Sequence, residues 1–160
     1  MKSPPAALVP GQPDRRGAGP RRGLSVCMLD GDPRSAARAR RFAADTLREW
    51  ALRSLTDDVE LIVSELVGNA VRHAVGPAAP GTAEQPVRLT LLRYTRRLVC
   101  AVTDPSPAPP CLTEPGSDTT GGRGLLLVSA LSDTWSWRPS PSRGKTVWAG
   151  VPLPPQHRPA

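Results

Sequence analysis

The chain has 160 residues, of which 39% are apolar and 22% charged, and its formal net charge is +7 at pH 7. This length is enough to bury one hydrophobic core, so we expect one folded domain. No apolar run approaches the ~20 residues that a membrane span needs, and nothing resembles a secretory signal. These features predict a cytoplasmic protein that does not bind membranes. The cysteines Cys27, Cys100 and Cys111 lack zinc-site spacing and are odd in number, which argues against a zinc centre or a disulfide framework.

Much of the excess positive charge lies near the start of the chain. Residues 1–23 contain five basic residues and one acidic residue, a net charge of +4. Pro, Gly, Ala and Arg dominate this stretch, which has too little apolar surface to offset the chain entropy lost on folding. We therefore predict a disordered leader. It is either simply solvated or in contact with nucleic acid or an acidic partner.

The first predicted elements are a strand over residues 24–29 and a helix that follows a turn at residues 30–33. Asp32 is the expected N-cap, with Pro33 at the first helical position. The apolar face of this helix consists of Ala39, Phe42, Ala43, Leu47, Trp50 and Ala51. Its arginines fall mostly on the opposite face, which is either solvated or a docking face for an acidic partner.

A second amphipathic helix is predicted from Thr56 to about residue 75, with apolar residues at helical spacing. On one edge of that stripe lie a carboxylate, an amide, a guanidinium and an imidazole, from Glu65, Asn69, Arg72 and His73. Gly68 costs about 1 kcal/mol relative to Ala in a helix interior, which suggests a close approach by another group. The alternative is an ordinary surface helix whose polar side chains only meet water.

An alternating run at residues 87–91 and an apolar run at residues 98–102 predict two antiparallel strands after a flexible loop at residues 76–86. Asp104 ends the second run and is followed by prolines at alternate positions. A carboxylate offers only hydrogen-bond acceptors. In a cleft, it would accept a hydrogen bond from the exocyclic amine of adenine and so select adenine over guanine. The alternative is that Asp104 only forms a turn.

A glycine-rich stretch, residues 119–124, runs into an apolar helix that begins near Leu125. Free N–H groups at a helix start can bind phosphate, although helix capping also explains such glycines. Residues 108–121 are expected to form a mobile cover over the site. Two further strands, at residues 134–137 and 145–151, complete the domain, and the tail after them is expected to be unstructured.

Four motifs in order resemble those of the Bergerat-fold ATPases, and most of all the anti-sigma-factor serine kinases among them. They are Glu65-x-x-x-Asn69-Ala70-x-x-His73, Asp104-x-Ser106-x-x-Pro109, Gly122-Arg123-Gly124-Leu125 and Gly144-Lys145-Thr146-Val147-Trp148. The resemblance implies an α/β two-layer sandwich, with a mixed, mostly antiparallel sheet covered on one face by about three helices. It spans residues 24–153, between a leader (1–23) and a tail (154–160).

The resemblance also implies roles for individual residues, with ATP and Mg²⁺ as cofactors. Asn69 matches the magnesium ligand and Glu65 the general base. Asp104 matches the residue that reads the adenine amine, with Thr146 as a supporting hydroxyl. The remaining positions expected to line the nucleotide are Arg72, His73, Ser106, Gly122, Arg123, Gly124 and Leu125.

Two functions follow as hypotheses. The first is a kinase that phosphorylates a serine or threonine of an anti-anti-sigma-type regulatory protein, sequesters a sigma factor, or does both. The second is a nucleotide-gated protein-binding module without significant turnover. Homodimerisation stays open, and nucleic acid is not expected as a partner.

Overall fold

The structure, a computed structural model, describes residues 19–73, 86–110, 123–140 and 144–155. Most of the predicted leader, the loop at residues 76–86, most of the predicted cover and most of the C-terminal tail lie outside the described residues. The side chains of His73 and Arg123 and the burial of Gly124 also lie outside that description.

The described part of the chain contains three α-helices, five strands and one short 3₁₀ helix at Arg53–Leu55. The helices are α1 (Ser35–Glu49), α2 (Thr56–His73) and α3 (Arg123–Leu131). The strands are β1 (Arg21–Leu29), β2 (Val87–Tyr94), β3 (Arg97–Asp104), β4 (Thr134–Pro139) and β5 (Lys145–Pro152). Each element predicted from the sequence is present, although β1 begins three residues earlier and so includes the end of the predicted leader. None of the described helices has both the length and the apolar character to cross a membrane.

The five strands form one sheet in the order β1-β2-β3-β5-β4. Every pairing between them is antiparallel, so the described sheet is antiparallel throughout rather than mixed. The predicted two-layer α/β sandwich is confirmed, with the helices packed on one face of the sheet.

The hydrophobic core lies between α2 and that face of the sheet. The buried stripe of α2 contains Val59, Ile62, Val63, Leu66, Val67 and Ala70. The strands contribute residues at alternate positions, such as Leu89 and Leu91 in β2 and Leu98, Cys100 and Val102 in β3. Because strand side chains alternate between faces, the residues between these point away from the helices.

The start of α1 differs from the prediction. The helix begins at Ser35, and its N-cap position is Arg34, which has helical backbone angles and makes no side-chain capping bond. Asp32 Oδ1 accepts a hydrogen bond from the backbone N–H of Arg34 at 2.8 Å. The carboxylate therefore stabilises the turn before the helix, because its short side chain reaches the N–H two residues on.

Gly144 occupies the turn that leads into β5 and has a φ of +91°. A Cβ at this position would overlap the backbone carbonyl of Asp104, at the end of the neighbouring strand β3. Only glycine adopts this conformation without strain and also admits such a close approach of two backbones. Gly144 therefore sets how closely β3 and β5 meet at this end of the sheet.

We predict that Gly144→Ala lowers the free energy of unfolding by about 3 kcal/mol or more, since it adds both backbone strain and a clash with backbone. Urea denaturation of the purified protein measures this. The matched control is Gly68→Ala in α2, where a Cβ would meet only the Arg72 side chain, 3.2 Å from Nη1. The control should be neutral or slightly stabilising, since Ala is favoured by about 1 kcal/mol in a helix interior. Equal stability of the two variants would contradict the role given to Gly144.

Candidate functional site

The first group of candidate residues lies on α2, beside its buried stripe. Glu65 and Asn69 are one helical turn apart and so share one side of the helix. Asn69 is buried, with 6% of its surface exposed, and Glu65 is partly exposed. Among the described residues, Glu65 makes no hydrogen bond or ion pair.

Asn69 carries an unusual feature for a buried residue. Its Oδ1 atom has no hydrogen-bond partner within the described part of the chain. A buried oxygen left in this way costs about 1–3 kcal/mol, so its retention points to a partner beyond the described part of the chain. Amide oxygens are suitable ligands for Mg²⁺, which binds to few protein groups and keeps phosphate and water ligands. Asn69 thus fits the magnesium role that the resemblance implies.

Arg72 and Gly68 lie next to each other on the same helix, one turn apart. The guanidinium of Arg72 lies over Gly68, close to where a side chain would begin, while the residue as a whole is exposed. The close approach predicted at Gly68 is therefore made by a side chain of α2 itself. His73 ends the helix, and its side chain lies outside the described residues.

The second group lies where β3 ends, at Asp104. This residue is directly opposite Lys145, the first residue of β5, and both side chains are on the helix face of the sheet. Lys145 Nζ lies 3.1 Å from Asp104 Oδ2 and 3.2 Å from Oδ1. The two side chains are only 4% and 2% exposed, for Lys145 and Asp104 respectively. Asp104 is thus half of a buried ion pair.

Asp104 also forms a turn, as the sequence allowed. Its Oδ1 accepts the backbone N–H of Ser106 at 2.9 Å, and the Ser106 carbonyl accepts a hydrogen bond from Lys145 Nζ at 3.4 Å. Burial raises the pKa of the Asp104 carboxyl above its ordinary value. The Ser106 N–H and the Lys145 ammonium act in the opposite direction but do not cancel the effect of burial.

The side chain of Thr146 lies on the opposite face of the sheet from that of Asp104. It lies opposite Thr103, and the two hydroxyl oxygens are 2.8 Å apart on the face away from the helices. Of the β5 residues in the fourth motif, the one beside Asp104 is therefore Lys145 rather than Thr146. Sequence reasoning missed this, although the alternation of Lys145, Val147 and Ala149 with Thr146 and Trp148 was a signal for it.

The third group lies at the start of α3. The helix begins at Arg123, close to the predicted start, and Gly122 lies outside the described residues. Leu125 is buried in the core, where α3 packs against α2. The position of Leu125 at the first turn holds the helix start against the element that carries Asn69. The roles of Gly122, Arg123 and Gly124 at phosphate stay predictions.

The elements that carry these groups pack against one another. Helix α2 contacts β3, β5 and α3, which carry Asp104, Lys145 and the glycine-rich helix start. None of the curated proteins matches this chain. The family model of the histidine kinase-like ATPase domain matches residues 29–150, which include all four motifs. The chain therefore belongs to the histidine kinase-like ATPase domain family, whose members are ATP-binding modules.

Proposed function

We propose that the protein binds Mg·ATP between α2, the β3 end and the start of α3, and transfers phosphate to a serine or threonine of a regulatory protein. The observation that carries the proposal is the buried Oδ1 of Asn69, which has no hydrogen-bond partner among the described residues. It lies one turn from the Glu65 carboxylate, which has no partner among those residues either. The partner would be an anti-anti-sigma-type protein, with a sigma factor sequestered in the other state, in line with the resemblance of the four motifs.

Each residue has a distinct part in this proposal. Asn69 would hold Mg²⁺, which supplies positive charge that stabilises the phosphate groups. Glu65 would take the proton of the attacking hydroxyl as general base. Asp104 would accept a hydrogen bond from the adenine amine, and Arg72 would add positive charge near the phosphates. Ser106 supports this site through its backbone, because its N–H orients Asp104.

A nucleotide-gated binding module remains the second candidate function. The same site would bind ATP. Bound ATP would change the affinity of the protein for its regulatory partner by favouring one partner-bound state, without phosphoryl transfer. The two functions differ in what they require of Glu65 and agree in what they require of Asn69.

We predict that Asn69→Ala removes the Mg²⁺ dependence of ATP binding. In the wild-type protein, replacing Mg²⁺ by EDTA should weaken ATP binding by about tenfold or more, the range seen when metal sites are disturbed. In the variant the two conditions should give equal affinities, as measured by isothermal titration calorimetry. Asn69→Asp is the matched control, because it keeps an oxygen ligand and should keep the dependence. A normal Mg²⁺ response in Asn69→Ala would remove Asn69 from the metal site.

We predict that Glu65→Gln lowers phosphoryl transfer from radiolabelled ATP to a candidate regulatory protein by about 10²–10⁴-fold. ATP affinity should be retained, since the amide has nearly the same shape. Glu60→Gln is the control, because Glu60 lies on the same helix, five positions earlier. Unchanged transfer by Glu65→Gln would show that Glu65 is not the base. No transfer by the wild-type protein to any candidate would favour the binding module.

A further inference from the structure

Lys145 is a buried cation whose place in the fold the proposed function does not use. It lies 3% exposed at the start of β5, in contact with the carboxylate proposed to read the base. Removing two charges from water costs several kcal/mol per ion, which their attraction often fails to recover. A buried ion pair is therefore weak evidence of a purely stabilising role, and its position beside a candidate ligand site suggests recognition instead.

We infer that Lys145 and Asp104 read the base edge of the nucleotide together, with Lys145 Nζ donating to the ring nitrogen N1 of adenine. Asp104 Oδ2 accepts a hydrogen bond from the neighbouring exocyclic amine. This inference rests on the proposed function and identifies a residue that determines its specificity. A carboxylate alone provides only acceptors, whereas the pair provides an acceptor and a donor side by side.

The contacts of the pair leave capacity for such a ligand. Asp104 Oδ1 already accepts hydrogen bonds from the Ser106 N–H and from Lys145, whereas among the described residues Oδ2 contacts only the Lys145 ammonium. Each carboxylate oxygen accepts two hydrogen bonds, so Oδ2 has one acceptor position left. Lys145 Nζ has three N–H donors, and two of its three acceptors are oxygens of one carboxylate. One N–H can serve both of those oxygens, which leaves another for the base.

The ammonium is held by contacts of its own with Asp104. Asp104 and Lys145 are paired residues across β3 and β5, and Gly144 allows the two backbones to approach closely at this point. The Ser106 carbonyl gives the ammonium a further contact at 3.4 Å. A donor held in this way loses little entropy when it binds a ligand, which favours its use in discrimination.

The test compares the binding of ATP, 1-deaza-ATP and 7-deaza-ATP to the full-length wild-type protein by calorimetry with Mg²⁺. Replacing N1 by a C–H group removes the proposed acceptor and should weaken binding about tenfold or more, as expected for a lost hydrogen bond to a charged group. The 7-deaza analogue is the matched control, since it loses a ring nitrogen that Lys145 is not proposed to contact. Its affinity should stay close to that of ATP.

A substitution of Lys145 tests the same hydrogen bond from the protein side. Lys145→Met should weaken ATP binding by a similar factor and abolish the difference between ATP and 1-deaza-ATP, because the donor is gone. The variant leaves Asp104 without its counter-charge, so its thermal unfolding is measured alongside binding. If Lys145→Met does not fold, the three ligands with the wild-type protein decide the question.

Two results would overturn the inference while leaving the proposed function intact. One is equal binding of ATP and 1-deaza-ATP by the wild-type protein, which would show that Lys145 does not contact N1. The other is tighter binding of ATP by Lys145→Met, which would mean that the ion pair obstructs the base. Failure of the wild-type protein to bind ATP at all would overturn the proposed function and the inference with it.

Discussion

The packing of α2 on the sheet is the interaction on which the candidate site depends. The buried stripe that includes Ile62 and Leu66 fixes the rotation of the helix about its own axis. Once that rotation is fixed, Glu65 and Asn69 can occupy only the edge of the core. A polar amide is thereby held at the edge of the core, buried and with no hydrogen-bond partner for its oxygen among the described residues.

The end of the sheet adds a second constraint, from the pairing of β3 with β5. Their register places two opposite charges next to each other in a region with little solvent. Because side chains alternate between the two faces of β5, Lys145 contacts Asp104 on the helix face. Thr146 contacts Thr103 on the other face. Gly144 makes this arrangement achievable, because no side chain separates the two backbones.

Asp104 takes part in two interactions at once. It forms the turn with the Ser106 N–H and also faces a buried ammonium. The turn uses one oxygen, which orients the carboxylate towards Lys145. A residue that looks like a simple turn former in sequence is therefore also half of a buried ion pair.

The sequence by itself determined the number and order of the α-helices and strands, because helix and strand periodicities of apolar residues are local properties. It also identified Asn69 and Glu65 as neighbours, since residues one helical turn apart share a side. It did not predict the short 3₁₀ helix at Arg53–Leu55. Only the tertiary structure decided that every strand pairing is antiparallel and that Lys145 meets Asp104, 41 positions earlier in the chain. Strand register depends on contacts between distant segments, and a shift of one residue exchanges the two faces of the sheet.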